Sequence, residues 1–209
     1  MLYGGAAPGG ASRRAGTPAR TRSAGTGQRP PVRIRRIRDR DLPRFRALRL
    51  RSLAHDPMAF GSTHARELAF PADVWTQRVH RAAVASDQSI WLAETPNRQL
   101  AGMVGMFPHE GSLHVFGMWV DPRFRGHGVG GRLLDRLLRW AGEARPRATL
   151  RLSVNPAQTA AVQLYRARGF AETGVTEPLP HTPTVRMVEL ARVPRRKPPT
   201  RRPRKRSRP

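Results

Sequence analysis

The sequence predicts an α/β domain with a mixed central sheet, and three observations support this class. Strand-like and helix-like segments follow one another in the order β-α-α-β-β-β-α-β-α-β-β. A glycine-rich turn directly precedes the most strongly amphipathic segment. The large apolar residues are concentrated in residues 32–193, a usual length for one compact domain.

The first strand and two helices are predicted from local patterns. Residues 32–38 partly alternate between apolar and basic side chains, which indicates a strand. In the next segment Asp41 is expected to be the N-cap of a helix, with Pro43 in its first turn, and Asp56-Pro57 ends it. Residues 70–85 predict a second helix with one apolar side, formed by Trp75, Val79 and Ala82.

Three strands and the main amphipathic helix follow. The strands are expected at residues 89–94, 99–109 and 112–120, and turn residues join the first two. Residues 129–144 predict a helix with charged residues on its solvent face. Its inward face is expected to consist of Val129, Leu133, Leu134, Leu137, Leu138, Trp140 and Ala141.

The last part of the domain predicts a strand, a helix and two strands. Residues 148–154 alternate, with three apolar side chains on one face. Residues 158–169 predict a helix that Gly169 ends. The final strands are expected at residues 171–175 and 184–190.

The positive charge is concentrated at the two ends of the chain. The net charge is +25, but residues 1–30 hold five Arg and residues 195–209 hold nine Arg or Lys, without any acidic residue. The middle keeps all 14 acidic residues and 25 of the 39 basic ones, which is compatible with an ordinary enzyme surface. We expect residues 1–31 to be a disordered low-complexity extension, residues 32–193 the folded domain, and residues 194–209 a disordered basic tail.

Several classes of protein are excluded by composition. The chain has no Cys, so neither a disulfide framework nor a thiolate metal site can form, and we expect no metal. No apolar run approaches the roughly 18 residues of a membrane span, and the N-terminus lacks the apolar core of a signal peptide. We expect a cytoplasmic protein, although the Arg- and Ser-rich start would also suit an organelle transit peptide.

The glycine-rich turn allows two interpretations. Gly126, Gly128 and Gly131 spell G-x-G-x-x-G, the dinucleotide-binding fingerprint. That fold also needs an acidic residue after the next strand, but residues 148–154 end without one. The turn also follows three predicted antiparallel strands instead of opening a repeated βαβ unit. A P-loop is excluded because no Lys-Ser/Thr pair follows the glycines.

The second interpretation, R-x-x-G-x-G from Arg125 to Gly130, fits better. Such a turn places unpaired backbone N–H groups and the positive end of a helix dipole around a pyrophosphate. Glycines remove the Cβ atoms that would hold phosphate oxygens away from these groups. The binding residues expected here are Arg125, Gly126, His127, Gly128, Val129, Gly130 and Gly131.

Two motifs together resemble the GNAT-type N-acetyltransferase superfamily. The first is V-x-P-x-x-R-G-x-G-x-G between a strand and a helix, and the second is A-x-x-L-Y-x-x-x-G-F within residues 161–170. The resemblance implies the GNAT fold, in which the sheet is mixed and largely antiparallel and the fourth and fifth strands splay apart. It also implies an acyltransferase that uses acetyl-CoA as co-substrate and a primary amine as acceptor, by direct attack in a ternary complex.

The resemblance further implies roles for individual residues. Backbone groups near Met118 and Val120 would bind the pantetheine amides and polarise the thioester carbonyl. Tyr165 would be the general acid that protonates the departing CoA thiolate. Where the family often has Asn, seven residues before this Tyr, the chain has Gln158; either Gln158 or Asn155 would contact the cofactor.

The general base and the acceptor pocket stay open at this stage. Glu67, Glu110 and His114 are candidates for the base, and the sequence does not choose among them. Acceptor specificity is expected from residues 59–75 and from a loop at residues 176–184. The aromatic residues of the first region, which are Phe60, Phe70 and Trp75, would line a pocket or belong to the core.

Two alternatives to an active enzyme also stay open. One is a catalytically silent CoA-binding GNAT domain. The other is association with RNA or the ribosome through non-specific phosphate contacts of residues 194–209. We expect no membrane contact and either a monomer or a homodimer, with a small-molecule, peptide or protein amine as acceptor.

Overall fold

The computed structural model of the protein describes residues 31–194. Apart from their boundary residues 31 and 194, the two segments predicted to be disordered lie outside the described residues. The basic tail and its nucleic-acid contact therefore remain predictions.

The described residues form an α/β domain whose elements follow the predicted order with one addition. The strands are β1 (Arg33–Arg36), β2 (Ser89–Glu94), β3 (Leu100–His109), β4 (Ser112–Val120), β5 (Leu150–Val154), β6 (Ala171–Leu179) and β7 (Thr182–Arg192). The helices are α1 (Leu42–His55), α2 (His64–Leu68), α3 (Ala72–Val84), α4 (Val129–Ala144) and α5 (Thr159–Arg166). Short 3₁₀ turns lie at Asp39–Asp41, Pro57–Ala59 and Pro122–Phe124.

The strands form one sheet in the order β1-β2-β3-β4-β5-β7-β6. All neighbours are antiparallel except β4 and β5, so the predicted mixed, largely antiparallel sheet is confirmed. The parallel pair is short, because Leu113 pairs with Leu150 and His114 with Arg151, and no further pairing follows. Beyond His114 the two strands separate, which confirms the predicted splay.

A β-bulge interrupts β4 where it separates from β5. Phe116 pairs with Gly105 of β3 and Trp119 pairs with Met103, so Gly117 and Met118 together face one β3 residue, Val104. Gly117 has a φ of +62°, in the left-handed region that favours glycine. The extra residue changes the faces to which the side chains at the end of the strand point. Met118 and Val120 pack with α4, while Phe116 and Trp119 pack with α1 and α3.

Helices cover both faces of the sheet and bury two apolar clusters. One cluster joins the sheet to α4 and α5, and the other joins it to α1 and α3. The predicted inward face of α4 is buried at Val129, Leu133, Leu134, Leu137 and Ala141. Leu138 and Trp140 are only half-buried at its margin. The guanidinium carbon of Arg36 lies over the Trp140 ring, 5.5 Å from the ring centroid.

One local prediction was wrong, and one short helix was not predicted. The segment 176–184, expected to be a loop, is mostly hairpin, because β6 continues to Leu179 and β7 begins at Thr182. Pro178 lies in the edge strand β6, where a missing N–H is tolerated, and Pro180 lies in the turn. Pro183 lies in a part of β7 that does not pair with β5. Helix α2 was not predicted, although Thr63 caps it by accepting from Arg66 N at 3.2 Å.

Asp41 occupies the N-cap position of α1 but makes no side-chain cap. Its carboxylate instead accepts from Arg38 N at 2.9 Å and from both terminal nitrogens of Arg35, at 2.6 and 2.8 Å. Arg35 also pairs with Glu94 of β2 at 2.7 Å, and Arg44 contacts both carboxylates. Asp41 is 0% exposed, so this cluster fixes the start of α1 against β1 and β2.

Candidate active site

The turn before α4 presents a row of unpaired backbone N–H groups. Gly126 and Gly128 have φ values of +77° and +75°, which only glycine adopts without strain. The helical hydrogen bonds begin at Arg132, whose N–H donates to Gly128 O at 3.1 Å. Within the described residues, no backbone carbonyl accepts from the N–H groups of residues 126–131. Such a row at the N-terminus of a 16-residue helix can bind phosphate oxygens.

The next two glycines serve packing. A Cβ on Gly130 would lie 3.1 Å from Met118 Cε and 3.5 Å from a methyl carbon of Leu164, so glycine allows α4 to approach β4 and α5 closely. A Cβ on Gly131 would lie 2.5 Å from an Arg168 nitrogen. His127, in contrast, is exposed. The turn therefore combines N–H groups with close packing of the helix it begins.

A cavity of about 510 Å³ extends from this turn toward the splay between β4 and β5. Residues 118–120 form one wall, and α5 contributes its first turn and Leu164. Arg125 lines the cavity and is held from two sides, since Nε donates to Val120 O at 2.8 Å and Nη2 donates to Asp56. Asp56 also accepts from Trp119 Nε1 at 2.6 Å.

Gln158 and Asn155 occupy different environments. Gln158 immediately precedes α5 and lines the cavity. Asn155 is buried; its Oδ1 accepts from Ala157 N at 3.0 Å, and its Nδ2 donates to Met58 O at 3.4 Å. Asn155 therefore holds the loop between β5 and α5 in place, and Gln158 is the amide that faces the cavity.

Tyr165 lies on α5, on the side of the sheet that α4 covers. It is 6% exposed, and its ring makes an edge contact with Phe170 at 5.8 Å between centroids. Burial raises the pKa of Tyr165 above its ordinary value. The hydroxyl is therefore protonated at neutral pH. Tyr165 itself does not line the cavity, whereas the preceding residue, Leu164, does.

A second cavity, of about 470 Å³, lies on the other side of β4, under α1, α2 and α3. Phe116 and Gly117 form part of its wall, so the bulge separates this cavity from the first. Its charged lining consists of Arg49, Glu67, Arg78 and Arg81. We call this space the acceptor-side cavity and the first one the CoA-side cavity, after the two substrates that the resemblance implies.

Glu67 is the one base candidate that lines either cavity among the described residues. Glu67 is 2% exposed. Its carboxylate accepts hydrogen bonds from Arg49, through Nη2 at 2.7 Å and Nε at 3.1 and 3.2 Å, and from Arg78 Nη1 at 3.1 Å. Burial alone raises the pKa of Glu67, but the hydrogen bonds and charge of Arg49, aided by Arg78, outweigh it and lower the pKa. Glu67 is therefore a stable carboxylate that holds two arginines.

The other base candidates lie at the opposite end of β4. Glu110 is in the turn before β4, with its side chain 85% exposed. His114 is three residues before the bulge, about 10 Å along the strand, and contacts Ser112 Oγ at 3.2 Å. Burial, followed by the charge of His109, lowers the pKa of His114. Neither side chain reaches the bulge.

The aromatic residues proposed for a pocket belong to the core. Phe60 and Trp75 are buried in the cluster under α1 and α3, and Phe70 packs against Trp75 at 6.1 Å between ring centroids. The residues that sequence reasoning missed are Arg49, Asp56 and Gly117. Gly117 had a usable signal, because an isolated glycine inside a strand indicates a bulge.

Comparison with protein families decides what this architecture is. Residues 50–170 match the model of the acetyltransferase (GNAT) family. The chain belongs to the GNAT family. The predicted resemblance is confirmed, and this GNAT protein is an acyltransferase by family.

Individual relatives of this GNAT protein agree with the assignment. The chain is 30% identical over 109 residues to the N-alpha-acetyltransferase RimI of Mycobacterium tuberculosis, a match that covers 49% of the chain and 65% of RimI. Among solved structures, a GNAT acetyltransferase from Streptococcus pneumoniae superposes with a TM-score of 0.66 at 19% identity, covering 78% of the chain and 99% of that structure. The putative acetyltransferase yncA of Salmonella typhimurium, solved with acetyl-CoA, gives 0.61 at 15% identity, covering 80% and 96%.

Two kinds of feature are absent from residues 31–194. No group of three or more His, Asp or Glu in this GNAT domain is arranged to hold a metal ion. None of its helices combines the length and apolar character needed to cross a bilayer.

Proposed function

We propose that this protein transfers the acetyl group of acetyl-CoA to a primary amine, by direct attack of the amine in a ternary complex. The observation that carries the proposal is the pair of cavities on the two sides of the β4 bulge, at the point where β4 and β5 separate. One cavity leads to a phosphate-binding turn, and the other is lined by charged side chains.

On the CoA side, the turn before α4 binds the diphosphate with the N–H groups of residues 126–131 and with Arg125. Beyond His114 the edge of β4 that faces β5 has no strand partner. Its backbone groups, near Met118 and Val120, are free to bind the pantetheine amides. Acetyl-CoA supplies the acetyl group as a thioester, and a backbone N–H of this edge stabilises the negative charge that develops on the thioester oxygen.

Tyr165 donates the proton that the CoA thiolate needs in order to leave. Its buried hydroxyl keeps the proton at neutral pH, and α5 places it on the α4 side of the splay. Leu164, the preceding residue, lines the CoA-side cavity. Tyr165 is therefore adjacent in α5 to a residue of the cavity wall, which is compatible with a general-acid role.

The amine must lose a proton before it attacks. Glu67 is a weak base because two arginines lower its pKa, and Glu110 and His114 lie away from the cavity. We infer that the acceptor-side cavity instead favours the neutral amine, since Arg49, Arg78 and Arg81 face a single carboxylate there. Glu67 then acts by positioning Arg49 and Arg78.

Relatives support an α-amine as the acceptor. The matched RimI is named an N-alpha-acetyltransferase, but the chain spans 65% of it at 30% identity, so the acceptor is part of the proposal.

The function can be tested with purified protein in two steps. Calorimetry should detect CoA binding, and a thiol-release assay over a panel of amines should detect acetyl-CoA consumption, with the acetylated amine identified by mass spectrometry. Initial rates at varied concentrations of both substrates should give intersecting lines, as expected for a ternary complex. Parallel lines would indicate an acetylated enzyme and contradict direct attack. CoA binding without transfer to any amine would favour the silent CoA-binding alternative.

A further inference from the structure

Arg49 has one terminal nitrogen without a partner. The residue is 9% exposed, and Nη1 is buried without a hydrogen-bond partner in the described structure. Arg49 lines the acceptor-side cavity, and its Nη1 lies 3.9 Å from the position that a Cβ on Gly117 would occupy. A buried donor next to the β4 bulge thus awaits an acceptor.

The rest of the Arg49 guanidinium is fixed. Nε and Nη2 donate to Glu67, and the Phe60 ring lies 4.6 Å from the guanidinium carbon. These contacts determine the plane and direction of the group, so Nη1 is held beside Gly117 rather than being free to turn away. A rigid donor of this kind favours one position for the oxygen that it binds.

The charge of the cavity indicates the kind of group whose oxygen Arg49 Nη1 would bind. Arg49, Arg78 and Arg81 outnumber the single carboxylate of Glu67 in the lining. An anionic group compensates this excess, and its bond to a guanidinium is stronger than that of a neutral carbonyl. Polyamines and aminoglycosides, which carry several positive charges, are disfavoured for the same reason.

We propose that the acceptor is a small α-amino acid, with its carboxylate bound by Arg49 Nη1 and its amine directed at the β4 bulge. The amine and the carboxylate of such a molecule share one carbon, which suits the short separation between Arg49 and Gly117. Arg81, exposed at the margin of the cavity, adds long-range attraction. This inference rests on the proposed acetyltransferase function and specifies its substrate class.

The test compares acceptors that differ in charge at that position. Because the α-amine of an amide also has a lower pKa than that of the amino acid, each rate is expressed per concentration of neutral amine at the assay pH. L-alanine, L-serine, L-leucine and L-phenylalanine are each assayed beside the corresponding α-amide, together with spermidine and short peptides with free N-termini. At least one free amino acid should have a kcat/KM about tenfold above that of its amide, and the difference should lie in KM. Equal values for acid and amide, or a preference for peptides or spermidine, would overturn the inference.

Variants assign the effect to Arg49. Arg49→Lys keeps a cation for Glu67 but lacks the second NH₂ group, so it should reduce the preference for the acid to about twofold or less while the Kd of CoA is unchanged. Arg81→Gln should reduce the preference about threefold, and Arg139→Gln, on the exposed side of α4, should leave it unchanged. If Arg49→Lys does not fold, Arg81→Gln provides the test. A folded variant that prefers the acid over the amide as strongly as the wild-type protein does contradicts the proposal. If CoA binds but no amine is acetylated, the acetyltransferase function itself fails, which is a different result.

Discussion

The carboxylate of Asp56 accepts a hydrogen bond from Arg125, which lies 69 positions later in the chain. This contact ties the end of α1 to the turn that begins α4. Burial alone raises the pKa of Asp56, but the hydrogen bonds of Trp119 and Arg125 outweigh it and lower the pKa, so the Asp56 carboxylate stays ionised at neutral pH. Arg125 therefore reaches the CoA-side cavity with its orientation already fixed.

Replacing Arg125 by Gln should weaken CoA binding about tenfold, because one charge-assisted contact to the phosphates is lost. The loss should shrink as the salt concentration rises, since the site is partly exposed. Calorimetry at two ionic strengths measures both effects. Arg123→Gln is the matched control, because the Arg123 guanidinium donates to Asp121. The CoA affinity of this variant should change less than twofold. Equal effects of the two substitutions would contradict the role of Arg125.

Gly126 tests the conformation of the turn separately from its contacts. No atom lies within 4 Å of the position of its Cβ, so alanine is penalised only by the φ of +77°, by about 1 kcal/mol. We expect Gly126→Ala to lower CoA affinity about fivefold by displacing the N–H groups. Gly142→Ala, inside α4 and also without close neighbours, should leave CoA affinity unchanged and raise the melting temperature slightly. Titration calorimetry and thermal unfolding of both variants provide the comparison.

Tyr165→Phe should separate chemistry from binding. The ring and its contact with Phe170 are kept, so stability and the Kd of CoA should remain near those of the parent. Without the hydroxyl, kcat should fall about 100-fold if Tyr165 is the general acid. Steady-state kinetics measure this directly. A variant with unchanged kcat would exclude the acid role and leave Tyr165 as a packing residue.

Acid sensitivity should arise from the cluster around Asp41. Burial alone raises the pKa of Asp41, but hydrogen bonds from Arg35 and Arg38 outweigh this effect and hold the pKa at about 2. The hydrogen bonds from Arg35 likewise hold the pKa of Glu94 at about 2. Between about pH 4.5 and 2 the unfolded chain binds more protons than the folded one, so the free energy of unfolding should fall as the pH falls through this window. Above pH 5 this contribution is fully present.

Asp41→Asn should lower the free energy of unfolding at pH 7 by about 3 kcal/mol, because Arg35 and Arg44 lose a buried partner. The substitution should also reduce the fall in the free energy of unfolding below pH 4.5. Urea unfolding at several pH values measures both quantities. Asp39→Asn, which alters an exposed neighbour, should cost less than about 0.5 kcal/mol. The cluster would lose its assigned role if the two variants behaved alike.

The sequence predicted the features that depend on local pattern. The period of 3.6 placed α4 at residues 129–144, and the glycines around residue 128 indicated the turn before it, because both depend on near neighbours in the chain. The Arg49–Glu67 pair could not be predicted, since it joins α1 to a short helix whose position depends on the whole fold. Residues 176–184 misled for a similar reason, because whether a strand tolerates proline depends on its place in the sheet, and Pro178 lies in the edge strand β6.

The bulge in β4 also has a pharmacological consequence. Since the two cavities lie on opposite sides of this strand, a compound in one does not exclude a compound from the other, and inhibitors of the two kinds should act additively. A molecule that joins coenzyme A to an amino acid through a short linker would cross between Gly117 and the splayed edge. Such a bisubstrate compound would block both substrates at once and should bind more tightly than either half.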